Sequence, residues 1–122
     1  LEEFSASKGR GAQFNDKKIR GNQKREIADS AIATFTQNGW DEGALFTRIT
    51  GSSVLDICHL AAGQFDAVFA DVTHPMDLQA ALLVSSESGA LSGTPQGAPL
   101  NSKSTTALVA NSKLFKSLIV SS

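Results

Sequence analysis

The sequence predicts a layered α/β fold, in the broad sense of an α+β sandwich with a mixed sheet covered by helices. Three observations predict it. Short apolar runs of strand type alternate with segments of helical spacing. The helical segments open on a capping residue or a proline: Ser52 or Ser53, Pro75, and Asn111 or Ser112. Gly63 and Gly89 stand where the first two should stop.

Residues 1–7 read as a strand, and residues 1–20 as β structure throughout. Phe4, Ala6, Ala12, Phe14 and Ile19 are the apolar positions, and Gly9-Arg10-Gly11 and Asn15-Asp16 are the turns. Residues 17–26 carry Lys17, Lys18, Arg20, Lys24 and Arg25 around Gly21 and Asn22, a basic surface connection. Residues 27–35 are short and apolar, with residues 31–34 as a buried strand. Residues 37–43 are a polar loop, and residues 45–50 a further strand. The helix after Ser52 or Ser53 has Val54, Ile57 or Cys58, and Ala61 on its apolar face. Residues 65–69 form a strand. Pro75 then opens a helix bearing Leu78, Ala81, Leu82 and Ser85 at helical spacing. Residues 91–105 are rich in Gly, Pro and Ser and read as loop with one edge strand at most. Residues 106–110 are a strand, and the last helix runs to about residue 120. The chain divides into a β-hairpin segment, 1–26, and an α/β domain, 27–122.

Composition excludes several classes. A length of 122 residues fits one domain, and 41% hydrophobic with 19% charged residues is ordinary for a soluble globular protein. A formal net charge of −1 provides no global field toward nucleic acid or an anionic membrane. The longest apolar run, residues 80–84, is far short of the roughly 20 residues that span a bilayer. Leu1-Glu2-Glu3-Phe4 is not a signal peptide. The single cysteine, Cys58, excludes an internal disulfide framework and a Cys-rich zinc site, so a reduced, cytoplasmic setting is expected. The chain opens without Met inside a strand and reads as a piece of something longer.

Asp71, His74 and Asp77 are the one cluster of good metal ligands. Pro75 keeps His74 out of helical geometry, so the three do not share a helix face. Asp77 falls in the first helical turn, where the helix dipole stabilises a carboxylate, so spacing alone leaves it a simple helix-start acid or a ligand. Gly51-Ser52-Ser53 is either a plain cap or an anion- or hydroxyl-binding corner. Cys58-His59 is not a dyad, because adjacent helical residues point about 100° apart. Lys8-Gly9-Arg10-Gly11 lacks the spacing of a phosphate loop and reads as a hairpin turn. The basic run 17–25 has no interleaved aromatics, so a solvated face is expected there rather than a nucleic-acid site. Trp40-Asp41-Glu42 lies in the polar loop.

Several segments, in order, resemble the inositol monophosphatase family. Residues 3–15 (EFSASKGRGAQFN) resemble its opening hairpin, continued by Lys18-Ile19. Asp29-Ser30-Ala31-Ile32-Ala33-Thr34 resembles the strand that follows. Thr50-Gly51-Ser52-Ser53-Val54-Leu55-Asp56 resembles a helix start of the type G-[ST]-A-A-x-[DN]. Residues 61–67 (AAGQFDA) resemble A-x-G-x-x-D-[AG]. His74-Pro75-Met76-Asp77 stands where the family has a Trp-Asp pair, Glu87-Ser88-Gly89 resembles the end of the next helix, and Val109-Ala110-Asn111 the closing strand. The resemblance covers almost the whole chain. It implies the C-terminal part of an αβαβα sandwich.

By that resemblance Asp77 is a Mg²⁺ ligand, Gly51, Ser52 and Ser53 contact substrate hydroxyls, and His74 lies beside the substrate. There are departures. Met76 replaces Trp, and a Glu that contacts the sugar alcohol falls on Ala70, with Asp71 beside it as a possible replacement. The family's D-P-x-D-G-T motif, which supplies most metal ligands and a catalytic Thr, is not in these residues. The expectation is therefore part of a Mg²⁺-dependent phosphomonoesterase for a small sugar-alcohol phosphate, inactive without its N-terminal half. Its expected partners are that half, a small phosphorylated metabolite and a second copy in a homodimer, with no membrane. A degenerate, non-catalytic relative acting in protein–protein or RNA-associated regulation is the alternative.

Overall fold

The computed structural model describes residues 4–15, 17–23, 26–36, 43–72 and 75–119, with the backbone alone at residues 75 and 77. Three short strands, β1 (Phe4–Ala6), β2 (Ala12–Phe14) and β3 (Lys17–Ile19), form an antiparallel sheet. A 3₁₀ turn (Ile27–Asp29) leads into β4 (Ala31–Thr34) and β5 (Phe46–Ile49). Then come α1 (Ser53–Ala61), β6 (Ala67–Asp71), α2 (Pro75–Glu87), β7 (Leu91–Gly93), β8 (Thr106–Ala110) and α3 (Ser112–Leu118). The second sheet has the order β5-β4-β6-β8-β7. β4 runs parallel to β5 and β6, whereas β8 runs antiparallel to β6 and β7. This is the mixed α+β architecture the pattern predicts.

The period of two along each strand sends its residues to two cores. Ala33, Val68, Ala70, Ala107 and Val109 face one way and pack on Ile57, Leu60, Leu78 and Ala81 of α1 and α2. Ile32, Ala67, Phe69, Leu108 and Ala110 face the other way and pack on Leu114, Phe115 and Leu118 of α3. A sheet buried on both faces explains why its central strands read as unbroken apolar runs. Ala12 of the small sheet, with Phe4, Ala6 and Ile19, rests on Ala61 and Val84. The described residues thus make four layers: small sheet, α1 with α2, large sheet, α3.

The helix ends follow their signals. Ser52 caps α1, accepting from the Leu55 N–H at 3.2 Å, and Asn111 caps α3, accepting from Lys113 and Leu114. Gly63 has φ +88°, the left-handed conformation a helix stop requires. Two expectations are corrected. Lys17 and Lys18, which fall both in the β region expected at 1–20 and in the surface connection expected at 17–26, belong to a strand; their charges stay exposed on the edge of the small sheet while the backbone pairs with β2. The strand expected at residues 65–69 starts two residues later. Phe65 is buried without entering the ladder, and Asp66 is used for something else.

Asp66 is buried, and its carboxylate accepts from the Ala31 N–H (2.8 Å) and from the Asn22 side chain (2.8 Å). Its own N–H donates to the Ala31 carbonyl at 2.8 Å. Asn22 also donates to the Gly63 carbonyl at 2.7 Å. At the opposite corner, the Gly11 N–H donates to Glu87 at 2.7 Å, docking the hairpin turn on the end of α2.

Asp66→Ala is expected to cost roughly 2–5 kcal/mol in chemical denaturation, because two charge-assisted hydrogen bonds to poorly hydrated donors disappear together. Asp66→Asn should cost less, since its amide oxygen can still accept one of them. A second prediction concerns Glu87. The backbone N–H groups of Gly11 and Gly9 hold its carboxyl below the usual glutamate range. Its contribution is present above the usual pKa and is lost as pH falls through the lowered one. Denaturation across the acid range should therefore show a flatter pH dependence for Glu87→Gln than for the wild type.

Candidate functional site

The carboxyl ends of the parallel strands β4, β5 and β6 lie on one edge of the large sheet. From β4 the chain passes to β5 on one side, then crosses through α1 to β6 on the other. Open α/β sheets bind ligands in the crevice outside the carboxyl ends of strands at such a reversal. A cleft of about 370 Å³ lies there, lined by Phe35, Thr50, Gly51, Ser52, Ser53, Val54, Asp71 and Leu78. Each parallel strand delivers the residue at its end to the cleft: Phe35 after β4, Thr50 after β5 and Asp71 from β6.

The sequence fixes this corner through hydrogen bonds. The Phe35 N–H donates to the Phe69 carbonyl (3.2 Å) and the Thr50 N–H to the Thr34 carbonyl (3.1 Å), which carries the ladder one step beyond the strands. The Asp71 N–H donates to the Ser53 hydroxyl oxygen at 2.9 Å, joining the first residue of α1 to the end of β6. The Asp56 N–H donates to the Ser52 carbonyl at 3.0 Å. The Thr50 hydroxyl donates to the Asp56 carboxylate. Asp56 is only 3% exposed, and burial pushes its pKa up against the opposing pull of the Thr50 hydroxyl and of His59.

Gly51 needs no glycine for the fold. Its φ is not in the left-handed region, and a Cβ added there would meet no heavy atom within 4 Å. A position free on both counts, facing a cleft, leaves backbone open to close approach.

Gly51, Ser52 and Ser53 therefore meet around one cleft, together with Asp71. The backbone of Asp77 lies in the first turn of α2. His74 and the loop residues Trp40-Asp41-Glu42 fall outside the described residues. Ala70 is fully buried in the core shared with α1 and α2, and Asp71, one residue on in the strand, falls on the opposite face. A carboxylate at residue 71 is thus not in the place of one at residue 70. Cys58 is a buried free thiol whose pKa burial pushes up, so it is packing rather than a nucleophile. Among the described residues no three His, Cys, Asp or Glu side chains approach closely enough to hold a metal ion. No described helix is long and apolar enough to cross a membrane.

Sequence reasoning gave no role to Phe35, Thr50 or Asp56. The available signal was the acid at residue 56, which stands at the [DN] position of the helix start that residues 50–56 resemble.

Comparison with known proteins gives the family and the fold. The model of the inositol monophosphatase family matches residues 1–122. A Nus factor SuhB of Vibrio cholerae is 35% identical over 104 residues, covering 74% of this chain and 39% of that protein. The crystal structure of the extragenic suppressor protein suhB of Bartonella henselae superposes with a TM-score of 0.87 at 26% identity, over 96% of this chain and 52% of that one. An inositol monophosphatase structure from Anabaena gives 0.86 at 24% identity, again over 96% of this chain and 52% of its own, and shows the fold. The chain spans about half the length of these solved structures and less of the Vibrio protein.

The raised pKa of Asp56 yields a stability prediction. A carboxyl whose folded pKa lies above its unfolded one binds protons more readily when folded. The cost of burying its charge is therefore complete above the folded pKa and vanishes below the usual aspartate value. Asp56→Asn should gain on the wild type at neutral pH in denaturant titrations, and that advantage should shrink as pH is lowered into the aspartate range.

Proposed function

This chain belongs to the inositol monophosphatase family, and from that premise we propose that it is the C-terminal portion of a Mg²⁺-dependent phosphomonoesterase acting on a small sugar-alcohol phosphate. The observation that carries the reading is the cleft at the strand ends, floored by Gly51, Ser52 and Ser53. Among the described residues its lining holds three hydroxyl side chains, one acidic residue and no basic one. A phosphate dianion finds no compensating charge in such a lining, whereas a hydroxylated alcohol finds donors and acceptors. The cleft is therefore assigned to the leaving alcohol. Open backbone at Gly51 lets that alcohol approach closely, and the Ser52 hydroxyl is within the same rim.

A divalent ion would polarise the phosphoryl group and activate water. Mg²⁺ prefers about six oxygen donors in near-octahedral geometry. The described residues do not furnish them. Asp77 is proposed as one ligand, with the remaining donors supplied by the N-terminal half of the whole protein, and His74 as a neighbour of the substrate. A cytoplasmic, homodimeric enzyme completes the proposal. The name Nus factor, carried by the Vibrio relative, favours a second reading: a non-catalytic family member acting in protein–protein or RNA-associated regulation.

Phosphatase assays on the whole protein with Mg²⁺ separate the two readings. Under the first, Asp77→Asn lowers turnover by roughly a hundredfold or more, the order expected when several kcal/mol of metal-derived stabilisation are removed. Full activity in that variant would remove Asp77 from the site, and an inactive wild-type protein would favour the second reading. Gly51→Ala tests the cleft itself. Its thermal stability should stay level or rise, by about 0.4–1 kcal/mol where alanine fits the backbone, while KM for the phosphate ester increases. An unchanged KM would move the substrate elsewhere.

A further inference from the structure

We propose that Asp56 is a positioning residue for the substrate cleft: through the Thr50 hydroxyl it clamps the Thr50–Gly51–Ser52 corner against the first turn of α1. This rests on the reading of the cleft as the alcohol site.

Among the described residues the corner is otherwise held by main-chain bonds and by the hydroxyls of Ser52 and Ser53. Gly51 makes no side-chain contact, and a Cβ there would meet open space. Ser52 is retained by two bonds from α1, its hydroxyl accepting from the Leu55 N–H and its carbonyl from the Asp56 N–H. Thr50 is retained on the sheet side by its N–H to the Thr34 carbonyl. The Thr50–Asp56 bond closes the loop between these anchors. It joins the end of β5 directly to the helix, six residues on, across the segment whose backbone floors the cleft. A buried carboxylate has few alternative partners, so it holds the hydroxyl more firmly than an exposed one would. Asp56 itself does not line the cleft. It acts on the substrate only by fixing residues that do.

A helix start with a serine cap does not require this bond. The Ser52 cap already satisfies one first-turn donor, and the carboxylate of Asp56 is directed back toward the sheet rather than to solvent. The arrangement is that of a brace between two elements, located where the proposed ligand must be met by a rigid surface.

The test uses the whole protein carrying Thr50→Val, Thr50→Ser, Asp56→Asn and Asp56→Ala. Amide hydrogen exchange is followed at residues 50, 55 and 56 and compared with residues 60 and 61 of the same helix. In Thr50→Val, exchange at the first group should quicken roughly tenfold, the order of one lost hydrogen bond to a charged acceptor, with residues 60 and 61 unchanged. With inositol 1-phosphate and Mg²⁺, KM should rise by a similar factor at nearly constant kcat. Thr50→Ser keeps the hydroxyl and should behave like the wild type, whereas Asp56→Asn, whose neutral oxygen accepts more weakly, should move exchange at the corner and KM in the same direction as Thr50→Val by a smaller factor. Exchange at the corner equal to wild type in Thr50→Val overturns the proposal. So does equal quickening along the whole of α1, which would mark general destabilisation. If the wild type hydrolyses no phosphate ester, the functional reading fails, and the exchange pattern still decides whether Asp56 positions the corner. Failure of Asp56→Ala to fold leaves the two Thr50 variants to decide it.

Discussion

The buried carboxylate of Asp66 is the constraint on which the rest of the structure depends. It stands between Gly63, which ends α1, and Ala67, which begins β6. Its two oxygens reach Ala31 at the start of β4 and Asn22 in the connection from the small sheet. Asn22 in turn touches the Gly63 carbonyl, and its own carbonyl accepts from the Asn111 side chain at 3.3 Å. One acid thus ties the end of α1, the amino ends of both central strands, the cap of α3 and the small sheet into one junction. A buried network of this kind is valuable when fully satisfied and costly when broken, because each freed donor is left without water.

The junction acts at a distance on the cleft. Asp66 and Ala31 exchange two hydrogen bonds at the amino ends of β6 and β4, one through the side chain and one through the main chain. This pins the parallel register that pairs Ile32 with Ala67 and Thr34 with Phe69. A shift of one residue would turn each strand's core residues to the wrong face. It would also move Phe35 and Asp71 relative to Thr50, and the cleft is made from those three strand ends. The floor of the proposed substrate site is thus set from the opposite edge of the sheet.

Much of this was legible in the sequence because its signals are local. Ser52, Pro75, Asn111, Gly63 and Gly89 each act within a few residues of themselves, and each marks the boundary it was read to mark. The unread parts are non-local. β3 was read two ways, within the β region 1–20 and within the basic connection 17–26, because Lys17 and Lys18 carry no apolar alternation, and an exposed edge strand needs none when its backbone is paired with β2. The start of β6 was misplaced because Phe65 is apolar and buried yet outside the ladder, and nothing nearby announces that Asp66 will reach 44 residues back to Asn22. In the site, Gly51-Ser52-Ser53 was visible as a motif. Phe35 was invisible, because its place in the cleft follows from the strand order alone.

Asp66 and Asp56 show how one residue type serves two purposes in one small fold. Both are buried acids beside α1. Asp66 is matched by two donors, a main-chain N–H and a side-chain amide, and it stabilises the junction. Asp56 has its carboxylate on the Thr50 hydroxyl, with the pull of His59 beside it, and burial raises its pKa. An acid kept at a net desolvation cost is not explained by stability, since an apolar or amide side chain would serve the helix as well. The desolvation cost coincides with a corner where backbone faces an open cleft and Gly51 is present without a positive φ. Such a cost is tolerated where geometry matters more than stability. Under the proposed function, the Thr50–Ser52 corner, rather than either sheet face, is the part of this chain that meets the substrate.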